Sequence, residues 1–328
     1  MKHKIITCAS YGGTGSSAIT DIFKEFKNVK STDDFEVSIL HEMDGVSDLE
    51  YHLSDNFHRL KSDEAIYRFK SLSLRLSKEY NEIFSGQFLN ITDKYIEDLV
   101  DEKWQGFWHQ HVFRKSKYNN FFNYYIPLKL QFVKNRIFKS KHGYEFVPNN
   151  KRQMMYLAYC KDDFVLKTQK YLENLFNTLD YENKYEYLFM DQLVPSTNIE
   201  RYNRYFKNIK VIVVDRDPRD LYILNKLYWK EGWIPSDDID IFINWFKTIR
   251  KDNKENEENE ENVLRINFEE LILDYEGTLN KLLDFTGMDK VNHTNKFKYF
   301  NPEISKKNFR LWKDEEKIKG IENDIKFI

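Results

Sequence analysis

Residues 4–26 read KIITCASYGGTGSSAITDIFKEF. Lys4 to Ala9 is a run of β-formers and small residues, and three glycines follow within a few positions. From Ser16 onward, apolar residues recur at helical spacing, at Ile19, Ile22, Phe23 and Phe26. The stretch therefore predicts a strand, a tight turn and a helix. Gly12, Gly13 and Gly15 let the backbone turn so that N–H groups point inward, and the helix that follows adds its positive end. Thr14 lies inside this turn, and the hydroxyls of Ser16 and Ser17 can donate to phosphate oxygens. A nucleoside-triphosphate loop of the form G-x-x-x-x-G-K-[ST] sets a lysine before its last hydroxyl. Here Ser16 takes that lysine's place and Ser10 that of the first glycine. A plain strand-to-helix turn would use the same glycines, so the rest of the chain has to decide.

Composition narrows the choice. Among 328 residues, 51 Lys and Arg nearly balance 53 Asp and Glu. A net charge of -2 gives no overall attraction to nucleic acid or to an anionic membrane, so any basic site is local. Cys8 and Cys160 are too few and too far apart for a disulfide framework or a zinc site, and no metal site is expected. No stretch approaches the roughly 20 apolar residues of a membrane span. Residues 1–10 lack the apolar core of a signal peptide. The expectation is a cytoplasmic protein, with peripheral membrane contact left open and the oligomeric state unread.

Later segments repeat the α/β theme. From about 42 to 159, amphipathic stretches such as IYRFKSLSLRLSKEYNEIF predict a helical insertion. DDFVLKTQ resumes the pattern as a strand carrying Lys167 at its end, and NIKVIVVDRDPRDLYILNKLYW gives an apolar strand, a charged turn and a helix. Residues 251–262, KDNKENEENEEN, bury too little apolar surface to fold and read as a mobile loop. The prediction is one α/β domain over residues 1–328. It is a P-loop-like three-layer fold with a central parallel sheet and a large helical insertion.

The turn after the apolar strand NIKVIVV carries chemistry. Arg216 and Arg219 fall at a strand's carboxyl end, where open α/β sheets bind ligands, and a guanidinium fork suits phosphate. Pro218 fixes the turn, and Asp217 or Asp220 can cap the helix. A surface Arg–Asp network uses the same residues.

Together, GGTGSS and DRDPRD resemble the sulfotransferases that use 3′-phosphoadenosine 5′-phosphosulfate (PAPS). LRINFEELILDYEGTLNKLLDFTGM and ISKKNFRLWKDEE resemble that family's last strand-helix unit and its C-terminal segment. The resemblance implies that Gly12, Gly13, Thr14, Gly15, Ser16 and Ser17 hold the 5′-phosphosulfate. Arg216 would hold the 3′-phosphate, helped by Lys306, Lys307 or Arg310. The family's loop cation falls on Gly13, for which Lys167 is the leading substitute. Its 3′-phosphate serine falls on Leu224, with Asn225 or Tyr222 beside it as replacements. Phe268 and the backbone near Asn267 match the adenine site. A general base is sought among Glu36, His41 and Glu42.

The implied acceptor is a glycan or glycolipid hydroxyl, not nucleic acid. The aromatics between Trp104 and Tyr125 form either a sugar-stacking platform or packed interior, and His109 and His111 either pack or contact the acceptor. In sulfuryl transfer, charge builds on the leaving phosphate and no Mg²⁺ is required, so a missing loop lysine and the lack of a clear metal-binding aspartate weigh mainly against a kinase. An ATP- and Mg²⁺-dependent small-molecule kinase and a non-catalytic glycan-binding protein on the same scaffold are the alternatives.

Overall fold

A computed structural model describes residues 3–108, 111, 114, 116–138, 153–251 and 261–328. The chain opens with β1 (Lys4–Ser10), α1 (Ser16–Lys24) and β2 (Val29–Glu36). The insertion holds α2 (Val46–Glu50), α3 (Arg59–Ile83), α4 (Phe88–Leu99), β3 (Glu102–Gly106), α5 (Lys117–Asn120), α6 (Ile126–Phe138) and β4 (Gln153–Leu157). After it come α7 (Phe164–Phe176), β5 (Tyr187–Asp191), α8 (Ile199–Asn203), β6 (Ile209–Asp215), α9 (Pro218–Leu224) and α10 (Ile239–Thr248). The chain closes with β7 (Val263–Asn267), α11 (Phe268–Leu273), α12 (Tyr275–Thr286), α13 (Pro302–Ser305) and α14 (Glu322–Phe327).

Five strands form one sheet in the order β2–β5–β1–β6–β7, and every neighbouring pair is parallel. Alternation along β1 explains its continuous apolar text. Ile5 and Ala9 face a core shared with α3, α4 and α7, while Ile6 and Cys8 face another shared with α1, α11 and α12. A sheet covered on both faces needs apolar residues on both. Cys8 is a small buried residue whose thiol is pushed up by burial. The three-layer α/β prediction agrees with this architecture.

Strand order also creates the crevice. β1 lies between β5 and β6, and the chain leaves β1 toward β2 on one side and later builds β6 and β7 on the other. The loops after β1 and β6 therefore part at the carboxyl edge, which is where open sheets bind ligands.

Two expectations are corrected. DDFVLKTQ does not form a strand; it enters α7, whose buried Phe164, Thr168, Tyr171, Leu172 and Leu175 keep helical spacing. The insertion is not wholly helical either, since β3 and β4 pair antiparallel. Its first part shares the main core, through Leu49, Ile66, Phe69, Tyr80 and Ile96. In its later part, α6 leaves several apolar side chains exposed.

His111 Nε2 donates to the Asp63 carboxylate at 2.9 Å, and Asp63 also takes Arg114 at 2.9 Å and the Tyr156 N–H at 3.0 Å. Burial opposes ionisation of Asp63, but these hydrogen bonds hold its carboxyl below the usual range. His111 thus packs rather than meets an acceptor. His109, Phe113 and residues 252–260 of the expected mobile loop lie outside the described residues. Among the described residues, no helix is long and apolar enough to cross a membrane.

Candidate active site

The glycine turn is held in a shape that only glycine suits. Gly12, Gly13 and Gly15 have φ of +83°, +68° and +114°. A Cβ would lie 2.2 Å from the Trp233 ring at Gly12, 2.9 Å from Trp229 at Gly13 and 2.7 Å from Phe268 at Gly15. Thr14 is fully buried; its hydroxyl donates to the Val214 carbonyl at 2.8 Å and accepts the Tyr11 N–H at 3.2 Å. This hydroxyl ties the turn to β6 and is not presented to a ligand, which corrects its expected role. The Ser10 hydroxyl accepts the Gly12 N–H at 3.3 Å and the Gln192 amide at 2.6 Å.

Ser16 Oγ donates to Asp191 at 3.2 Å, whereas Ser17 is exposed. Among the described residues, no acceptor meets the N–H groups of Gly13, Gly15, Ser16 and Ser17. These are the orphan donors at the start of α1, and together with its dipole they suit an anion. Guanidiniums flank the turn: Arg250 lies 4.2 Å from the Tyr11 ring and pairs with Asp215 at 2.6 Å, and Arg265 reaches the Tyr11 hydroxyl at 3.2 Å.

Beyond β6, Asp217 caps α9 by accepting the Arg219 N–H at 2.9 Å, with Pro218 in the first helical position. Arg219 donates back to Asp217 at 2.9 and 2.6 Å and stacks 3.7 Å from the Trp312 ring, so it is engaged. Arg216 is 5 % exposed and lies 4.6 Å over Phe268. One guanidinium nitrogen donates to the Asn308 carbonyl, while Nε is buried and, among the described residues, has no acceptor. Burial lowers the pKa of Arg216, opposed by Asp220, Glu269 and Asp217. A cleft of about 520 Å³ opens here, lined by Asp215, Arg216, Asp217, Arg219 and Glu269. Burial raises the Glu269 carboxyl, which accepts the Asp217 N–H at 2.9 Å.

Asp220 is fully buried and accepts the N–H groups of Arg310 and Leu311 at 2.7 and 2.8 Å. Burial raises its pKa. The C-terminal segment is therefore docked through its main chain. Lys306 pairs with Glu303 at 2.6 Å, and Lys307 and Arg310 are exposed, with Arg310 4.8 Å from the Phe309 ring. The atom of this segment that touches Arg216 is a carbonyl oxygen, not a second cation.

Three further assignments change. Asn225 is buried, and its amide donates to Glu231 O, Ile234 O and Ser236 Oγ at 3.3, 3.0 and 2.8 Å. Its oxygen takes the Glu231 N–H at 2.8 Å. It folds the loop that brings Trp233 to Gly12 and has no donor left for a cofactor. Lys167 lies in the first turn of α7 and pairs with Asp163 at 2.7 Å; burial pulls its pKa down, but the Asp163 hydrogen bond together with the nearby negative groups raises it overall. It does not stand at a strand end beside the glycine turn. Phe268 packs between Gly15 and Arg216, so it offers no open face for adenine.

The candidate bases lie beyond β2. Glu36 is exposed opposite Asp191 in the ladder, and Glu42 accepts from Ser38 Oγ at 3.3 Å. His41 Nε2 lies 2.7 Å from the Gln192 carbonyl. A carbonyl can only accept, so Nε2 carries the proton and Nδ1 keeps a lone pair. Burial lowers the His41 pKa, which leaves the ring neutral near pH 7. Gln192, at φ 54°, joins two parts of the site: its carbonyl takes His41 and its amide takes Ser10.

The lowered pKa gives a signed expectation. The unfolded chain binds the His41 proton first, near its ordinary pKa of about 6.5, so this stabilisation is full above that value and is lost as pH falls toward the folded-state pKa. Melting measured from about pH 7.5 to 5.5 should show a smaller acid loss for His41→Gln than for the parent chain. An equal loss in both would remove His41 from the account.

Asp191, Gln192, Trp229 and Trp233 were not singled out from the sequence. For Asp191 the sequence signals only the place, since the apolar run YLFM ends there.

Residues 108–292, more than half of the chain, match the model of the sulfotransferase family. The chain belongs to that family. The match includes the Arg216 turn and starts after the glycine turn, so the two halves of the crevice rest on different observations. No curated protein matches this sulfotransferase. Solved structures similar to it include the sulfotransferase STF1 from Mycobacterium tuberculosis, at 10 % identity and a TM-score of 0.37, covering 94 % of this chain and 77 % of that one. Another is the sulfotransferase domain of the Synechococcus PCC 7002 olefin synthase, at 11 % identity, TM-score 0.40 and coverages of 94 % and 88 %. A third is the sulfotransferase domain from the curacin biosynthetic pathway, at 13 % identity, TM-score 0.38 and coverages of 96 % and 91 %.

Proposed function

We propose that this sulfotransferase moves the sulfuryl group of PAPS to a hydroxyl of a glycan or glycolipid, with the protein in the cytoplasm. The observation that carries the reading is the pairing of two anion sites at one sheet edge. Unfilled N–H groups line the turn after β1, and a buried Arg216 with an unpartnered Nε follows β6. A buried donor without an acceptor calls for one, and the 3′-phosphate supplies it. The residues therefore fit a molecule with phosphate at both ends.

PAPS, when bound, supplies an activated sulfuryl group on a phosphate that leaves with negative charge. The N–H groups of Gly13, Gly15, Ser16 and Ser17 would bind the 5′ end, and the α1 dipole would stabilise the charge that builds there. They stand in for the cation absent at Gly13. The Ser16 hydroxyl proton already goes to Asp191, so Ser17 is the free side-chain donor. His41 would take the acceptor's proton at Nδ1. Trp229 and Trp233 touch the turn while keeping exposed faces, which suits stacking of a sugar ring next to the sulfuryl group. The insertion at 42–159 would complete the acceptor site.

A thermal-shift titration with 3′,5′-bisphosphoadenosine, with and without Mg²⁺ and beside ATP, tests the cofactor. A ligand at a hundred times its Kd stabilises by about 2.7 kcal/mol, so a metal-independent rise in melting temperature is expected. In Arg216→Ala, compared with its own ligand-free melt, that rise should vanish. A rise only with ATP and Mg²⁺ would overturn the proposal in favour of a kinase and make Asp191, beside Ser16, the metal's carboxylate. Glycan binding without any response to the bisphosphate would favour the non-catalytic alternative.

A further inference from the structure

α6 is built inside out. Its outward side chains Leu130, Phe132, Val133 and Ile137 are 65 %, 69 %, 56 % and 66 % exposed. Polar Gln131 and Asn135 are half-buried and bond to each other at 3.0 Å. The π-helical turn Phe121–Tyr125 that leads into it likewise exposes Phe121, Phe122 and Tyr125. A helix packed for water alone shows the opposite arrangement. Apolar surface of this extent marks an interaction face.

Charge identifies the partner. Residues 114–137 contain six basic side chains and no acidic one, in a chain whose overall charge is near balance. Arg114 is turned inward onto Asp63 and Glu64. Lys117, Lys129, Lys134 and Arg136 are exposed, and among the described residues no carboxylate pairs with them. Lys129, Lys134 and Arg136 are interleaved with the exposed apolar residues of α6. A second copy of the chain would bring the same uncompensated cations against these, and nucleic acid would gain nothing from Leu130, Val133 and Ile137. An anionic lipid surface satisfies both features: headgroups meet the cations, and apolar side chains enter the acyl boundary. Lysine and arginine stems reach past the apolar layer with the charge kept among headgroups.

We infer that the α5–α6 face docks this protein on an anionic membrane surface, with Phe121, Phe122, Phe132 and Val133 entering the interface. The inference does not depend on the cofactor assignment.

Co-sedimentation of the full chain with phosphatidylcholine vesicles, with and without phosphatidylglycerol, tests it at low and high salt. The protein should pellet with the anionic vesicles at low salt, and high salt should release it. Reversing Lys129, Lys134 and Arg136 together to glutamate should weaken binding by about a hundredfold or more. Phe132→Glu should also weaken it, and both variants should melt as the parent does because these side chains are exposed. Equal binding to neutral vesicles, no binding to either kind, or full retention by the charge-reversed variant would overturn the inference. So would a dimer in solution that Phe132→Glu converts to monomer, since the face would then belong to a second copy.

Discussion

Glu25→Ala is expected to remove about 3–5 kcal/mol of folding stability, measured by urea unfolding at neutral pH. Glu25 caps the end of α1 and is fully buried. Its carboxylate meets His293 Nε2 at 2.6 Å and accepts the N–H groups of Tyr299 and Phe300 at 3.0 and 3.1 Å. Its main-chain carbonyl also takes the Asn295 N–H at 3.2 Å. Removing the carboxylate strands one ring nitrogen and two amides in a place water does not reach, and each buried orphan costs about 1–3 kcal/mol. His293 is further fixed by stacking on Phe26 at 4.5 Å, so it cannot swing out to solvent without breaking that contact. Glu25→Gln keeps an acceptor oxygen and should lose clearly less. An alanine variant within about 0.5 kcal/mol of the parent, the range of surface substitutions, would show that the cluster contributes little.

Gly12→Ala should weaken 3′,5′-bisphosphoadenosine binding by about a hundredfold, the scale of loss set by ångström-level misplacement. Two effects add at this residue. A left-handed φ costs a side chain about 1–2 kcal/mol, and the new methyl group would sit 2.2 Å from the Trp233 ring. Either the turn moves or the indole does, and Trp233 is held by the loop that Asn225 folds. Gly86→Ala separates the two effects, because Gly86 has φ +72° but nothing within 4 Å of its Cβ direction. That variant should show the strain in stability and leave binding unchanged. Isothermal titration of both variants checks this, and undiminished affinity in Gly12→Ala would remove the turn from the binding site.

What could be read from the sequence follows the range of the interactions involved. The strand, turn and helix at residues 4–26 were legible because their signals are local: Ile19, Ile22, Phe23 and Phe26 all became core, and the glycines all took positive φ. The Asp217 cap and Pro218 were legible for the same reason. Lys167 was misplaced because a short apolar run such as FVL fits strand and helix alike; only the window through Phe176 reveals the helical period. Asn225, Thr14 and Asp191 were beyond reach for another reason. Each has its role fixed by a partner that only the folded chain brings near: Ser236 Oγ for Asn225, Val214 O for Thr14 and Ser16 Oγ for Asp191. Which groups meet at the crevice depends on β1 lying between β5 and β6, and no local pattern encodes that order.

The clasp between Asp220 and the residues at 310 and 311 has a consequence for how the C-terminal segment can vary. Asp220 reads two amide protons, and Arg216 reads one carbonyl at Asn308; none of these contacts inspects a side chain. The demand falls instead on shape, since Arg310 must hold φ 51°, a conformation that asparagine or glycine adopts more easily than arginine. Exposed side chains of this stretch, such as Lys307, are thus free to be exchanged for new duties at the rim of the cleft, while buried Leu311 and Trp312 on Arg219 keep the segment fastened over the start of α9.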